Sequence, residues 1–157
     1  MSAPEPLEHR ILASLVVALE GIDGSSEYHH TVKTVSTDLM LLTSLPADRC
    51  PALLVVPELD GAARNYLMGS TKVDTYAVLI EGRVDGHGLL MGARVRAFTE
   101  LLLDIEYALT RDQSRGGIAV ETQLHPPMGP YLGIGTDPQV HFQQRVTVTA
   151  VAALGER

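Results

Sequence analysis

The chain has little of what several classes of protein require. It contains one cysteine, no tryptophan and only 4% aromatic residues. A single cysteine excludes an internal disulfide and gives no indication of an oxidising compartment. We therefore expect Cys50 to be a buried structural thiol and not a reactive one.

Positive charge is also scarce, since twelve basic residues stand against nineteen acidic ones and the formal charge is −7. A protein that binds nucleic acid through contacts with the phosphates needs a basic surface. This balance disfavours a DNA-reading module. It remains compatible with an acidic surface past which DNA slides without being held.

Long apolar runs are missing as well. The runs at residues 11–19 and 52–56 are too short to span a bilayer. Residues 1–8 are acidic and contain proline, unlike a signal peptide. We expect a soluble protein made in a cytoplasm, with no membrane partner.

The sequence does contain two amphipathic helices. The first is predicted over residues 7–19, with Pro6 at its start and Gly21 at its end. The second is predicted over residues 91–109, and its acidic positions Glu100, Asp104 and Glu106 are expected on the solvated side. Its apolar stripe recurs at spacings of three and four and consists of Met91, Val95, Phe98, Leu102, Ile105 and Leu109.

Two unusually long stretches, residues 70–84 and 139–153, alternate between the two faces of a strand. Shorter strands are predicted at residues 28–35, 52–56 and 118–124. The run 52–56 is apolar throughout, which suits a strand buried on both faces.

The segments between these elements are predicted as turns and loops. Residues 39–45 fit either a helical turn or a loop. Residues 58–69 show no sustained period, and residues 125–138 hold four prolines and three glycines. Both of these last segments are predicted to be surface loops, and loops as long as the second are uncommon unless functional or disordered.

The resulting order, α–β–β–β–α–β–β, predicts a single α+β domain over residues 1–157. Its sheet is mainly antiparallel or mixed, with long strands and two packed helices. A strand of fifteen residues extends roughly 50 Å, whereas a compact domain of this length has a radius of gyration of about 15 Å. Such strands bend, are interrupted by a bulge, or project and invite pairing with another chain.

No residue spacing indicates a catalytic or metal site. His29 and His30 are adjacent on a predicted strand and would point to opposite faces, so they are poorly placed to share a metal. Gly133 and Gly135 lack the third glycine and the helix of a dinucleotide fingerprint. We predict no catalytic residue, no cofactor and no metal, and therefore no enzyme.

The order of elements resembles that of the tail terminator (tail completion) proteins of long-tailed bacteriophages and related phage-like particles. The likeness covers nearly the whole chain and begins with the helix over residues 7–19. It continues through the segments PALLVVPEL, KVDTYAVLIEGRVDG, RVRAFTELLLDIEYALTRD, RGGIAVETQL and QVHFQQRVTVTAVAA.

This resemblance implies a structural virion protein that acts in the tail or neck and is assembled in the host cytoplasm. It implies a homo-oligomeric ring, typically hexameric, that caps the tail tube and joins it to a head-side connector or stopper protein. DNA would pass through the channel of the ring without specific binding. Each subunit contact would be heterologous, one patch meeting a different patch on the neighbour.

We expect the subunit and tube contacts to lie in the two predicted loops. Arginine, tyrosine and methionine are enriched at protein interfaces. On that basis the candidate interface residues are Arg64, Tyr66, Met68, Met128 and Tyr131. The competing interpretation is that these loops are solvated or fold back on their own domain.

Two other functions remain open. The chain could be another neck component, such as a head–tail connector, because the helix and long-strand pattern does not separate the two. From a different class, it could be a small ligand-binding domain or enzyme with a pocket under residues 125–138. His125, Tyr131 and Asp137 would then be the polar groups of that pocket.

Overall fold

Two α-helices pack against a six-stranded sheet in a computed structural model, which describes residues 5–38, 45–66, 71–132 and 139–153. This arrangement confirms the predicted α+β class. The helices are α1 (Leu7–Glu20) and α2 (Met91–Thr110). The strands are β1 (Thr34–Ser36), β2 (Ala52–Tyr66), β3 (Thr71–Asp85), β4 (Glu121–Leu124), β5 (Met128–Leu132) and β6 (Gln139–Ala153), and a 3-10 turn at Ala47–Arg49 precedes β2.

The two long alternating stretches form adjacent strands at the centre of the sheet. The strand order is β1-β2-β3-β6-β4, and β5 also pairs with β6. β3 and β6 are antiparallel and stay in register over all 15 residues, from Thr71 opposite Ala153 to Asp85 opposite Gln139. β2 runs antiparallel to β3 with a register shift between Glu58 and Ala63, and β1 is parallel to β2.

Side-chain alternation along these strands divides the sheet into two unlike faces. On one face, apolar side chains meet the helices and form the main core. From the strands it takes Leu53, Val55, Val78, Ile80, Val140, Phe142, Val146 and Val148, and from the helices Ile11, Leu15, Leu19, Phe98, Leu101 and Ile105. The other face carries mostly polar residues.

A small second cluster lies on the opposite face of β2, where Cys50, Ala52 and Leu54 pack with the partly buried Leu45 and Val56. The predicted strand with both faces buried is thereby confirmed. Cys50 is a buried thiol that is only 5% exposed, as predicted. Burial raises its pKa above the ordinary value, which keeps it in the less reactive protonated form.

The prediction that residues 58–69 and 125–138 are surface loops is wrong in part. β2 continues through residues 58–66, and β5 forms within residues 125–138. β2 pairs with β3, and β5 pairs with β6. Pairing with these long strands imposes the extended conformation in spite of the local glycine and proline residues. Residues 67–70 and 133–138 lie outside the described part of the chain, as do residues 39–44.

Two predicted strands are shorter than expected. Of residues 28–35 only Thr34 and Val35 belong to a strand, β1, and of residues 118–124 only Glu121–Leu124 does. The backbone of His29 and His30 is instead hydrogen-bonded to a side chain of α2.

A close contact across the central strand pair involves Gly82 and Phe142, which are opposite each other on β3 and β6. A Cβ atom on Gly82 would lie 2.1 Å from the Phe142 ring. That ring in turn contacts Phe98 of α2, with 5.6 Å between ring centroids. Glycine at position 82 therefore lets the aromatic ring lie flat across the strand beneath the helix.

We predict that Gly82→Ala lowers the free energy of unfolding by about 1–3 kcal/mol, because the added methyl group displaces the Phe142 ring. Gly92→Ala is the matched control. Gly92 lies in α2, and a Cβ added there would meet no atom within 4 Å beyond the backbone of its own helix, so alanine should stabilise by up to about 1 kcal/mol. Urea unfolding of both variants measures the difference, and equal effects would contradict the packing argument.

Candidate assembly surfaces

Two of the predicted interface residues are exposed on β5. Met128 and Tyr131 are 47% and 54% exposed, and their backbones lie opposite Gln143 and His141 of β6. Between them, Gly129 has a φ of 124° and approaches closely enough that a Cβ would lie 3.0 Å from the His141 carbonyl oxygen. A glycine is therefore required for β5 to lie against β6 and present these two side chains.

The other predicted residues belong to the opposite end of the sheet. The backbone of Arg64 lies opposite Asp74 of β3, and Asp74 lies opposite Ala150 of β6. Tyr66 is two residues further along β2, and Met68 lies outside the described residues. Ala150 is seven residues from the partner of Met128, which corresponds to roughly 23 Å along β6. The two predicted groups thus do not form one surface.

An apolar surface that the sequence prediction did not assign to an interface lies at the start of α2. It consists of Leu89, Leu90, Met91 and Val95, and Leu90 is 84% exposed. Met91 and Val95 belong to the predicted apolar stripe of the helix, but the first buried residue of α2 is Phe98. Leu90, Met91 and Val95 in the first two turns of α2 therefore remain at least partly exposed, and their apolar side chains are accessible to a partner.

The polar face of the sheet is a network of paired side chains. Arg145 Nε lies 2.8 Å from Glu58 Oε2, an ion pair that links β6 to β2 across β3. Gln143 donates a hydrogen bond of 3.1 Å to Glu81. On the same face, the Arg83 guanidinium donates to the Leu45 carbonyl at 2.6 Å. Both of these arginines are therefore held by oxygen atoms of the protein.

A buried carboxylate on α2 holds the loop that follows α1. Asp104 is 2% exposed and accepts hydrogen bonds of 2.9–3.1 Å from the backbone N–H groups of His29 and His30. Its Oδ1 also lies 3.0 Å from His29 Nδ1. The prediction that Asp104 belongs to the solvated side of the helix is therefore wrong. Sequence spacing could not reveal this contact, because the partners are more than seventy positions away.

The two histidines are structural in this arrangement. His30 Nε2 lies 3.0 Å from the Ala97 carbonyl oxygen, and His29 is bound to Asp104. The described residues contain no group of three or more His, Cys, Asp or Glu side chains that could hold a metal ion.

Of the alternative pocket, the two described residues, His125 and Tyr131, do not converge. His125 Nε2 lies 3.0 Å from Thr147 Oγ1 on the sheet, and the His125 carbonyl accepts from Gln144. Tyr131 is exposed on β5, and Asp137 lies outside the described residues. A cavity of about 170 Å³ does exist, but it lies between the start of α1 and strands β2 and β3, where Ile11, Leu12 and Tyr76 are among the lining residues.

No helix in the described residues is both long and apolar enough to cross a membrane. No protein-family profile matches the chain, and comparison with curated proteins gives no significant match.

We predict that Asp104→Ala lowers the free energy of unfolding by about 1–3 kcal/mol, because it leaves the partly buried N–H groups of His29 and His30 without their acceptor. Glu106→Ala, two residues away and exposed, is the control and should change stability by less than about 0.5 kcal/mol. Denaturant unfolding measures both. Equal stabilities would show that Asp104 does not hold the loop.

Proposed function

We propose that this chain is a structural subunit of a phage or phage-like particle that forms a homo-oligomeric ring, hexameric as in the tail terminator proteins it resembles. The ring caps the tail tube, joins it to the head-side connector or stopper protein, and leaves a channel for DNA. In this role the protein is part of the virion tail or neck and has no catalytic function.

The observation that carries the proposal is the length of the sheet. Three adjacent strands, β2, β3 and β6, each have 15 residues, or roughly 50 Å if fully extended. Strands in globular proteins typically have only about five or six residues. The additional length provides surface and strand edge for contacts with neighbouring subunits.

Exposed apolar side chains support assembly as well. Leu90 and Met91 at the start of α2 and Met128 and Tyr131 on β5 are all more than two-fifths exposed. Burying one such side chain at an interface contributes about 1.5–3 kcal/mol. Their positions on separate parts of the fold suit the heterologous contacts of a ring, where unlike patches meet.

The charge distribution supports a channel that does not retain DNA. The chain carries a formal charge of −7. On the polar face of the sheet, Arg145 pairs with Glu58 and Arg83 donates to a backbone carbonyl. DNA is retained mainly by contacts between its phosphates and basic side chains, and the described part of this face has two arginines, both in contact with oxygen atoms of the protein.

The experiment that tests the proposal is the mass of the purified protein, alone and mixed with the tail tube protein of the same particle. Light scattering or native mass spectrometry measures it. We expect a closed ring, either in the free protein or on addition of the tube protein. A monomer or dimer whose mass does not change when the tube protein is added would contradict the proposal.

We predict that Leu90→Ser raises the protein concentration needed for half-assembly by roughly tenfold or more, because an apolar contact is lost at the interface. Leu103→Ser is the matched control, since Leu103 is an exposed leucine (51%) further along the same helix. Sedimentation velocity over a concentration series measures both variants, and equal shifts would exclude the start of α2 from the interface.

We also predict that Tyr131→Ala weakens assembly while the monomer stays folded, because Tyr131 is 54% exposed and is not one of the buried core residues. Circular dichroism checks the fold and native mass spectrometry the oligomer distribution. An unchanged distribution would count against a role for β5 in the interface.

A further inference from the structure

The outer edge of β2 is largely open. β1 pairs with β2 only along Ala52–Leu54. Among the strands that the structure describes, none pairs with this side of β2 over the remaining residues up to Tyr66. An edge of this length exposes a row of backbone donors and acceptors that can pair with another strand.

Hydrogen bonds at the far side of the sheet establish which backbone groups point toward the open edge. The N–H of His125 donates to the Arg145 carbonyl, so the backbone groups of Arg145 point away from β3. Because these directions alternate along a strand, the backbone N–H and C=O groups of Gln144 point toward β3. Its partner on β3 is Ile80, whose backbone groups point toward β6 in return.

The same alternation can be followed to β2. β3 keeps its register with β6 throughout, so the backbone groups of its even-numbered residues point toward β6, as those of Ile80 do. The backbone groups of the odd-numbered residues, among them Val73 and Thr75, therefore point toward β2. Their partners on β2 are Ala63 and Asn65. The backbone N–H and C=O groups of the alternate residues, Arg64 and Tyr66, therefore point to the open edge.

Nearer the core, the same edge is protected. Leu53, Val55 and Pro57 are the outward positions before the register shift, which agrees with the hydrogen bond from Lys33 N–H to the Pro51 carbonyl on the β1 side. Proline has no N–H to donate, and on edge strands it blocks pairing. The edge is thus closed at Pro57 and open at Arg64 and Tyr66.

The chain also carries a second open edge at the same end of the sheet. β4 pairs with β6 only as far as Thr149. Beyond it, the outward backbone groups on this side belong to Val151 and Ala153, and no described strand pairs with them. The three strands at this end therefore have one open edge on β2 and another on β6.

We propose that neighbouring copies of this chain join by strand addition, with residues 64–66 of β2 in one copy pairing with residues 151–153 of β6 in the next. This inference rests on the proposed ring and names its subunit contact. The open edge of β2 in one copy pairs with the open edge of β6 in a second copy. Backbone hydrogen bonds, and not side-chain contacts, hold the two strands together.

Strand direction makes this contact suitable for a ring. β2 and β6 are both antiparallel to β3 and so run parallel to each other. When a further copy continues the sheet, its β2 runs parallel to β6 of the first. The contact joins unlike edges, so it repeats from copy to copy until the rotation closes. Pairing of β2 with β2 would instead give a closed dimer.

Two substitutions at one position separate the backbone contact from the side chain. Arg64→Ala removes the side chain and keeps the outward N–H, whereas Arg64→Pro removes the N–H as well. We expect the proline variant to need a concentration roughly tenfold higher for assembly than the alanine variant. Circular dichroism and urea unfolding verify that both monomers fold. Equal assembly of two folded variants would overturn the proposal.

Residue-resolved amide hydrogen exchange on the unmodified protein tests the same contact without any substitution. In the monomer, the amides of Arg64, Tyr66 and Val151 should exchange fast and that of Asn65 slowly. In the ring, all four should be protected. A ring in which Arg64 and Tyr66 remain unprotected would overturn strand addition and leave the ring function standing.

Two further outcomes are informative. Protection of Arg64 in a particle of two subunits, with Val151 still exchanging fast, would show that β2 pairs with its own copy and would overturn the parallel contact. Failure to assemble with or without the tube protein would overturn both the contact and the proposed function.

Discussion

The unbroken antiparallel register of β3 and β6 is the constraint on which the rest of this structure depends. Along this register, alternate side chains such as Val78 and Val146 pack with the helices, and others such as Glu81 and Gln143 lie on the polar face. The register brings Phe142 across Gly82. Because β3 is committed to β6 along its whole length, the register shift between Glu58 and Ala63 is accommodated by β2 alone.

The two helices pack against the sheet and against each other. Asp104 connects α2 to the backbone at His29 and His30, just after the turn that ends α1. The buried residues of α2 begin at Phe98, so Asp104 lies in the buried part of the helix, whereas Leu90 and Met91 at its start are exposed. The buried part of the helix therefore anchors an exposed apolar start that is available to a partner.

The sequence predicted elements well where one local pattern decides their structure. Residues 139–153 alternate without interruption, and β6 has those bounds. Prediction failed where a distant partner decides: residues 58–66 and 128–132 became strands because β3 and β6 lie beside them. The burial of Asp104 was missed because its acceptor role requires His29 and His30. Of the candidate interface residues, Met128 and Tyr131 are exposed as expected. No periodicity could reveal that these two residues and Arg64 lie beside different ends of β6.

Folding of this sheet depends on contacts between distant parts of the chain. β6 pairs with partners on β3 that are 54 to 82 positions earlier in the sequence, and it also carries β4 and β5 on its other side. Sheets closed by such non-local contacts form slowly, in milliseconds to seconds. Until β6 docks, one edge of β3 is open to pairing with the wrong chain. The yield of native subunits during synthesis therefore depends on how quickly β6 reaches its place in the sheet.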